Sequence, residues 1–439
     1  MKKFDLLIGL ALMAAIWNPV APGMARANLI ATDQPLRVTE TEHFVFIFQK
    51  PLAPLMPNLV QSFEDAFELL SPVFHTRPRG KIHVLFDDSW DEHNGFATIF
   101  PRPLIAVYAA DVSPGSSIYE PGNFHRSTVF HEMAHVLPMN AQYGFGKILS
   151  RIFGRVLPLG DPISTTLAIL SIPSNSIAPE WFLEGLSIWS ETEFVGPGRG
   201  RGSIADMIMR MPVVEDRLLS PSQWSLEHPE HPYGEVAYLY GMRAIQYAHE
   251  TYGLTRGENV PGDLADSVAH SFLFFFNRRA RRVTDDTFLG LARKAMEKER
   301  ERQQKVIQHL RTVPVTDFPA RSPERLQASF PTFGPDGRSV YFTANGEAER
   351  DTLYRYEVAS GKVSKVSDAR VQEGISRLAA SPDRTRLYYT RLNIQGRDRI
   401  WNELRAYDIR KGTSSRLTGD GRYRYPAISP DGRKFAAVR

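Results

Sequence analysis

A chain of 439 residues is longer than one hydrophobic core usually supports, so two or three domains are expected. Its 42% hydrophobic content is that of a globular protein. The formal charge is +4; removing residues 1–27 takes away Lys2, Lys3 and Arg26 against Asp5, which leaves +2 and no electrostatic case for nucleic acid. The absence of cysteine excludes disulfides, thiol chemistry and lipid attachment at a cleavage-site cysteine.

Residues 1–27 read as a secretion signal. Lys2 and Lys3 form its positive start and Leu6–Ile16 its apolar stretch, which is too short to span a membrane comfortably. Ala25-Arg26-Ala27 is a small-x-small cleavage site. The expected location is outside the cytoplasm, periplasmic or secreted.

Residues 39–110 read as α+β. Strands are predicted at His43–Phe48, Lys81–Phe86 and Leu104–Tyr108. Val60, Phe63, Phe67 and Leu70 recur at helical spacing within Leu59–Leu70. Asn94–Thr98 reads as a loop between the last two strands.

His131-Glu132-Met133-Ala134-His135 carries the chemistry. On a helix, positions i and i+4 share one face, so His131 and His135 can grip one Zn²⁺. Glu132 can then serve as the general base. Ser127 can cap the helix, and Val129, Phe130, Met133, Val136 and Leu137 can pack it. The variant with a Gly three residues and a His six residues after the second His is excluded, because Pro138 and Ala141 stand there. The third ligand is therefore sought on another helix. His125 lies at the lead-in and reads as structural or as a supporting residue.

Residues 142–176 hold two apolar segments, Ile148–Leu157 and Thr166–Ile172. Two packed segments are the favoured reading, with a lid or a membrane-facing patch as the alternative. Ala178–Glu191 reads as a short amphipathic helix with Pro179 at its start. Glu184 sits mid-helix among Trp181, Leu183, Ile188 and Trp189. A carboxylate buried there needs a cation or a hydrogen-bond partner, so Glu184 is the preferred third ligand. Glu180 is its rival, but it lies at the helix start, where the dipole explains an acid. Glu191 reads as a solvated end, and Gly198–Gly202 as a solvated basic loop.

Tyr233, Tyr238, Tyr240 and Tyr247 fall in or just before a helical stretch, Val236–Tyr252, where aromatic packing would explain them. Phe272–Phe276 suggests a buried helix or strand. In Arg293–Arg311, Glu297, Glu299 and Glu301 interleave with Lys298, Arg300 and Arg302, as on a solvated helix. Val313–Pro323 reads as a linker.

Beyond it a unit repeats. Pro335, Pro382 and Pro430 lie 47 and 48 residues apart, each in a Pro-Asp turn followed by a strand. Leu353–Val358 and Leu404–Ile409 supply further strands. This spacing is the signature of β-propeller blades, of which about four to eight close a ring. Two blades and part of a third are present, so the chain is expected to be truncated.

These motifs resemble the gluzincin zinc metallopeptidases of the MA clan. Their third-ligand helix reads Trp-(Leu/Phe)-x-Glu-Gly-(Leu/Phe)-(Ala/Ser), matched by Trp181–Ser187. The resemblance is greatest to bacterial MA-like peptidases fused to a TolB-like β-propeller, and it runs from about Thr39 to the C-terminus. It implies an α+β gluzincin (thermolysin-like) catalytic domain at 28–312. A mixed sheet would occupy about 39–125 and a zinc-binding helical part about 126–312. A linker at 313–323 and an incomplete propeller at 324–439 would follow.

It also implies one Zn²⁺ per chain on His131, His135 and Glu184, with Glu132 as base. The segment Tyr233–Gly241 resembles the paired tyrosines of gluzincin aminopeptidases, which gives Tyr238 the role of oxyanion donor. In the clan an edge strand borders the cleft, and Leu104–Tyr108 is expected in that role. The 48 residues between His135 and Glu184 exceed the aminopeptidase spacing, and the motif that anchors a free N-terminus is missing. An endopeptidase acting on peptides or proteins is thus expected, with the propeller gating substrate or binding a protein partner. The competing class is a catalytically silent binding protein built on the same scaffold. The intact set His131, Glu132, His135 and Glu184 favours the enzyme.

Overall fold

The computed structural model describes residues 34–439 apart from 92, 111, 113–123, 197, 231, 257–258, 272–274, 315–325, 347–348, 371–376, 397–398 and 420. The expected signal at 1–27, residues 272–274 and most of the expected linker lie outside the described residues.

Alternating apolar residues build the first sheet. β1 (Leu36–Glu40) and β2 (Phe44–Gln49) pair antiparallel. In β2, Phe44, Phe46 and Phe48 are buried on one face. Helix α1 (Met56–Val73) lays Leu59, Phe63, Ala66, Phe67 and Leu70 on that face at steps of three and four. Phe63 meets Phe44 and Phe46 edge-on at 5.3 and 5.5 Å.

β3 (Ile82–Asp87) joins β2 in parallel. β4 (Gly95–Thr98) and β5 (Leu104–Tyr108) complete the sheet in the order β1-β2-β3-β5-β4. Two expectations change here. Residues 95–98 are a strand, and Leu104–Tyr108 lies inside the sheet, parallel to β3 and antiparallel to β4. The edge is β4. Its four residues are too few to show a period, and Asn94-Gly95 is a turn signal in sequence.

The helical part follows. It comprises α2 (Phe124–Asn140), α3 (Gly144–Phe153), α4 (Pro162–Ser171), α5 (Glu180–Phe194), the single turn α6 (Gly198–Arg201) and α7 (Ser203–Val214). Then come α8 (Glu235–Arg256), α9 (Val260–Ala269), the short α10 (Phe276–Arg279) and α11 (Phe288–Leu310). Helices α2, α5 and α8 lie at the centre. Phe130, Val136 and Leu137, Phe182 and Leu186, and Ala237 and Tyr240 share one core with the sheet. Phe276 seals one end by stacking on Phe288 at 4.1 Å.

α11 is not the fully solvated helix its charges suggest. Glu299 is 4% exposed, bonded to Arg302 and facing Arg243. A buried carboxylate needs such partners.

The C-terminal residues form meanders. β6 (Leu326–Phe333), β7 (Ser339–Gly346), β8 (Glu349–Glu357) and β9 (Val363–Arg370) make one four-stranded sheet. β10 (Ala379–Ala380), β11 (Arg386–Gln395), β12 (Arg399–Asp408) and β13 (Thr413–Arg416) make a second. β14 (Arg424–Ile428) and β15 (Phe435–Val438) form a hairpin. No closed propeller forms among the described residues.

The repeated Pro-Asp turn has a physical cause. Asp336 accepts from the backbone N–H groups of Arg338 and Ser339. Asp383 accepts from that of Thr385, and Asp431 from that of Arg433.

A cluster of contacts ties these meanders to the segment that follows β3. Arg422 places Nη1 2.6 Å and Nη2 2.8 Å from the two oxygens of Asp88, and its Nε is 2.8 Å from Asp91 Oδ1. Asp91 is 1% exposed at its side chain and also accepts from the Asn402 N–H. Ile400 exchanges backbone bonds with Ser89 and Asp91. Arg422→Ala would leave Asp91 buried without its cation, which costs about 3–5 kcal/mol. The expected result is a Tm lowered by several degrees and faster protease cleavage around residues 88–94, read by mass spectrometry.

Candidate metal centre

Helix α2 presents His131 and His135 one turn apart, and α5 lies against it with Glu184 facing them. Glu184 Oε2 is 3.2 Å from Nε2 of His131 and 3.2 Å from Nε2 of His135. The two nitrogens are themselves 3.2 Å apart. Donors placed tetrahedrally about 2.0–2.1 Å from one ion stand about 3.3 Å apart. The triangle therefore fits one ion of zinc's size, and its two imidazoles and one carboxylate are a zinc donor set.

The charges agree. Burial opposes ionisation of His131, yet hydrogen bonds to the Glu184 and Glu191 carboxylates overcome it and raise its pKa to about 9. Burial likewise opposes the Glu184 carboxylate, and the two histidines overcome it and pull its pKa far down. The pocket is built to hold positive charge.

Glu180 is not part of this cluster. Its Oε2 accepts the Leu226 N–H at 2.9 Å. His125 packs edge-on against Phe86 at 5.9 Å, in a packing contact. Tyr233 sits in the turn before α8 with φ of 53°.

Two residues that looked solvated in sequence support the site. Glu191 is 3% exposed, and its Oε2 lies 3.2 Å from His131 Nδ1. Arg199 is 14% exposed at its side chain and donates from Nε to Glu191 Oε1 at 2.9 Å. Its Nη2 is 3.1 Å from His131 Nδ1. Glu191 accepts from the guanidinium, and its Oε2 is also placed to take an Nδ1–H from His131. An Nδ1–H donated to Glu191 would leave Nε2 free for an ion held with Glu184.

The glycines around Arg199 are the signal that could have revealed this. A Cβ on Gly198 would stand 2.5 Å from Thr192 Cα, and one on Gly200 2.7 Å from Thr192 Oγ1. Only glycine lets α6 fold back onto the end of α5 and bring Arg199 inward.

Glu132 is 5% exposed, and burial pushes its pKa up. Its neighbour across the gap is the edge strand β4. A Cβ on Gly95 would come 2.8 Å from Glu132 Oε1. The bare backbone at Gly95 leaves room for the carboxylate beside the strand.

Of the tyrosines on α8, Tyr240 is core, as aromatic packing required. Tyr238 is at the site. Its ring centroid is 5.9 Å from that of His131, and the Arg199 guanidinium lies 4.9 Å above its ring. Burial, then the Glu184 charge, pushes the phenol pKa up, so it stays an O–H donor.

Tyr238 is set in depth by a pair of glycines. A Cβ on Gly241 would lie 2.0 Å from the Trp181 carbonyl oxygen, and one on Gly185 2.5 Å from the Gly241 carbonyl carbon. α5 and α8 touch backbone to backbone there. Gly241→Ala gains up to about 1 kcal/mol of helix propensity. A clash with backbone cannot be relieved by a rotamer, so overpacking of about 1–3 kcal/mol or more prevails. A lowered Tm is expected; a raised Tm would refute the close approach.

No family model matches the chain, and no curated protein matches it. Solved structures match in part. TolB from Acinetobacter baumannii is 25% identical over 25% of this chain and 26% of that chain, with a TM-score of 0.22. The putative TolB from Agrobacterium tumefaciens is 26% identical over 24% and 35%, with a TM-score of 0.20. A structure from a study of two prolyl endopeptidases is 16% identical over 26% and 18%, with a TM-score of 0.21. The chain spans at most 35% of the length of these proteins. At these TM-scores they carry no argument about its activity.

Proposed function

We propose that the protein is a zinc-dependent peptide hydrolase of the gluzincin type, an endopeptidase acting on peptides or unfolded proteins. The observation that carries this reading is the triangle of His131, His135 and Glu184, with donor atoms 3.2 Å apart. His131, His135 and Glu184 would hold the zinc, with Glu191 and Arg199 orienting His131. Zinc bound there would supply a Lewis acid that polarises the scissile carbonyl and makes water acidic near neutral pH.

The chain's own groups do the rest. The Glu132 carboxylate takes a proton from the attacking water as its oxygen bonds to the peptide carbon. It returns that proton to the departing amide nitrogen as the C–N bond breaks. The Tyr238 O–H donates to the oxygen that gains negative charge. β4, as the sheet edge beside Glu132, offers its backbone to an extended peptide, which favours an endopeptidase. The β6–β15 meanders belong to a propeller that gates substrate or binds a protein partner.

Export to the periplasm or medium of a bacterium is part of the proposal and rests on residues 1–27. No described helix is long and apolar enough to cross a membrane. The direct test is metal analysis of purified protein. About one zinc per chain is expected, with chelation abolishing hydrolysis of an unstructured protein and zinc restoring it. Protein that takes up no zinc would overturn the reading.

A further inference from the structure

The segment after the metal-binding helix does not pack as its apolar residues suggest. α3 buries none of its ten residues. Phe145 is 62%, Ile148 51% and Ile152 67% exposed, at spacings that share one helix face. Phe153, Leu157, Leu159 and Ile163 continue the exposure towards the start of α4. The favoured reading of two packed segments therefore fails for the first of them.

α3 is also basic. Between Gln142 and Gly160 the charged residues are Lys147, Arg151 and Arg155, with no acid. These three line a cavity of about 530 Å³ together with Arg77, Arg79 and Arg102. No carboxylate lines it. Arg77 is paired with Glu68. His75, also in the wall, is paired with Asp263. Among the described residues the other five cations have no ion pair. Arg155 is fixed by the Ile99 carbonyl and the Asn140 side chain. Lys147 lies over the Tyr143 ring at 5.5 Å.

We propose that α3 and the following loop dock on an anionic lipid surface, with the arginine-lined cavity taking a lipid phosphate. Two features single out this occupant. A helix with an apolar face and cations alone for its charges is the design of an interfacial anchor: the apolar side chains enter the acyl boundary and the cations meet headgroup phosphates. A protein partner would need acids placed against five separate unpaired cations, whereas a lipid headgroup layer supplies anions at every position. The docking is to the surface, since α3 is too short to span a bilayer. It is independent of whether the centre on α2 is active. It places that centre close to the membrane, because α2 ends only four residues before α3 begins.

The test uses the full chain and vesicles of two kinds, phosphatidylcholine alone and phosphatidylcholine with phosphatidylglycerol, read by co-sedimentation. Binding should favour the anionic vesicles at least about tenfold and weaken with salt, at about fivefold per cation near the surface. Arg79→Glu with Arg151→Glu should lower anionic binding about 25-fold or more, on the same scale. Ile148→Asn with Ile152→Asn should abolish it, and both variants should keep the wild-type Tm, since the side chains are exposed.

Three results would overturn the proposal. One is equal binding to both vesicles. Another is calorimetric binding of inorganic phosphate that survives Ile148→Asn and Ile152→Asn with no vesicle binding, which would mean a soluble phosphate ligand. The last is a dimer by light scattering that these substitutions dissolve, again without vesicle binding, which would mean a second copy covers the face.

Discussion

Glu132→Gln is expected to lower peptide hydrolysis by about 10²–10⁴-fold, while zinc content and Tm stay at wild-type values. The amide matches the carboxylate in size, so it fits the space that Gly95 leaves beside β4. Glu132 is not one of the three clustered donors, so the ion is retained. What is lost is the proton acceptor. Turnover of an unstructured protein should be compared for wild type and variant at equal zinc content. Equal rates would sink the enzyme reading and favour a silent scaffold whose propeller binds a partner. A fall in zinc as steep as the fall in rate would instead place Glu132 among the ligands.

The same residue shows what sequence can and cannot carry. The histidines and Glu132 were legible because a helix converts spacing into a shared face. Glu184 was legible because a charge amid tryptophan and leucine demands a partner. The partner itself comes from 53 residues away, which no local pattern specifies. Glu191 and Arg199 were misread for a related reason. Each taken alone is an ordinary surface charge, and only the fold-back allowed by Gly198 and Gly200 brings the two together under His131.

The sheet shows the same limit. β2, β3 and β5 were evident from runs of apolar residues. β4 is four half-buried residues behind a turn signal, so the strand that borders Glu132 was missed and the edge was assigned to β5. The helix α3 was misjudged in the other direction. Apolar content predicts burial in most chains, but content does not say which surface, protein or otherwise, covers it. The 47- and 48-residue repeat was plain because Asp336, Asp383 and Asp431 each close the same turn locally.

The metal centre should respond to substitution in three grades, and the grading tests every assignment made around it. Glu184→Ala removes one corner of the donor triangle and leaves two neutral imidazoles, so purified protein should lose its zinc and with it all hydrolysis; His135→Ala should do the same. Glu191→Gln leaves the triangle intact but weakens the grip on His131 Nδ1. The carboxamide cannot accept from both the ring and Arg199 as strongly as a carboxylate, so zinc affinity should fall by about 10–100-fold. Competition with a chelator of known affinity would read that change. Glu180→Ala should leave zinc untouched, because Glu180 bonds to the Leu226 backbone outside the cluster. Burial separates the first two grades from the third: Glu184 and Glu191 each sit within a web of charge where a lost partner is felt in full, whereas Glu180 faces water that replaces it. Full zinc retention in Glu184→Ala, or zinc loss in Glu180→Ala, would mean that the third ligand has been wrongly assigned. Unchanged affinity in Glu191→Gln would remove Glu191 and Arg199 from the centre and leave them as parts of the α5–α6 packing alone.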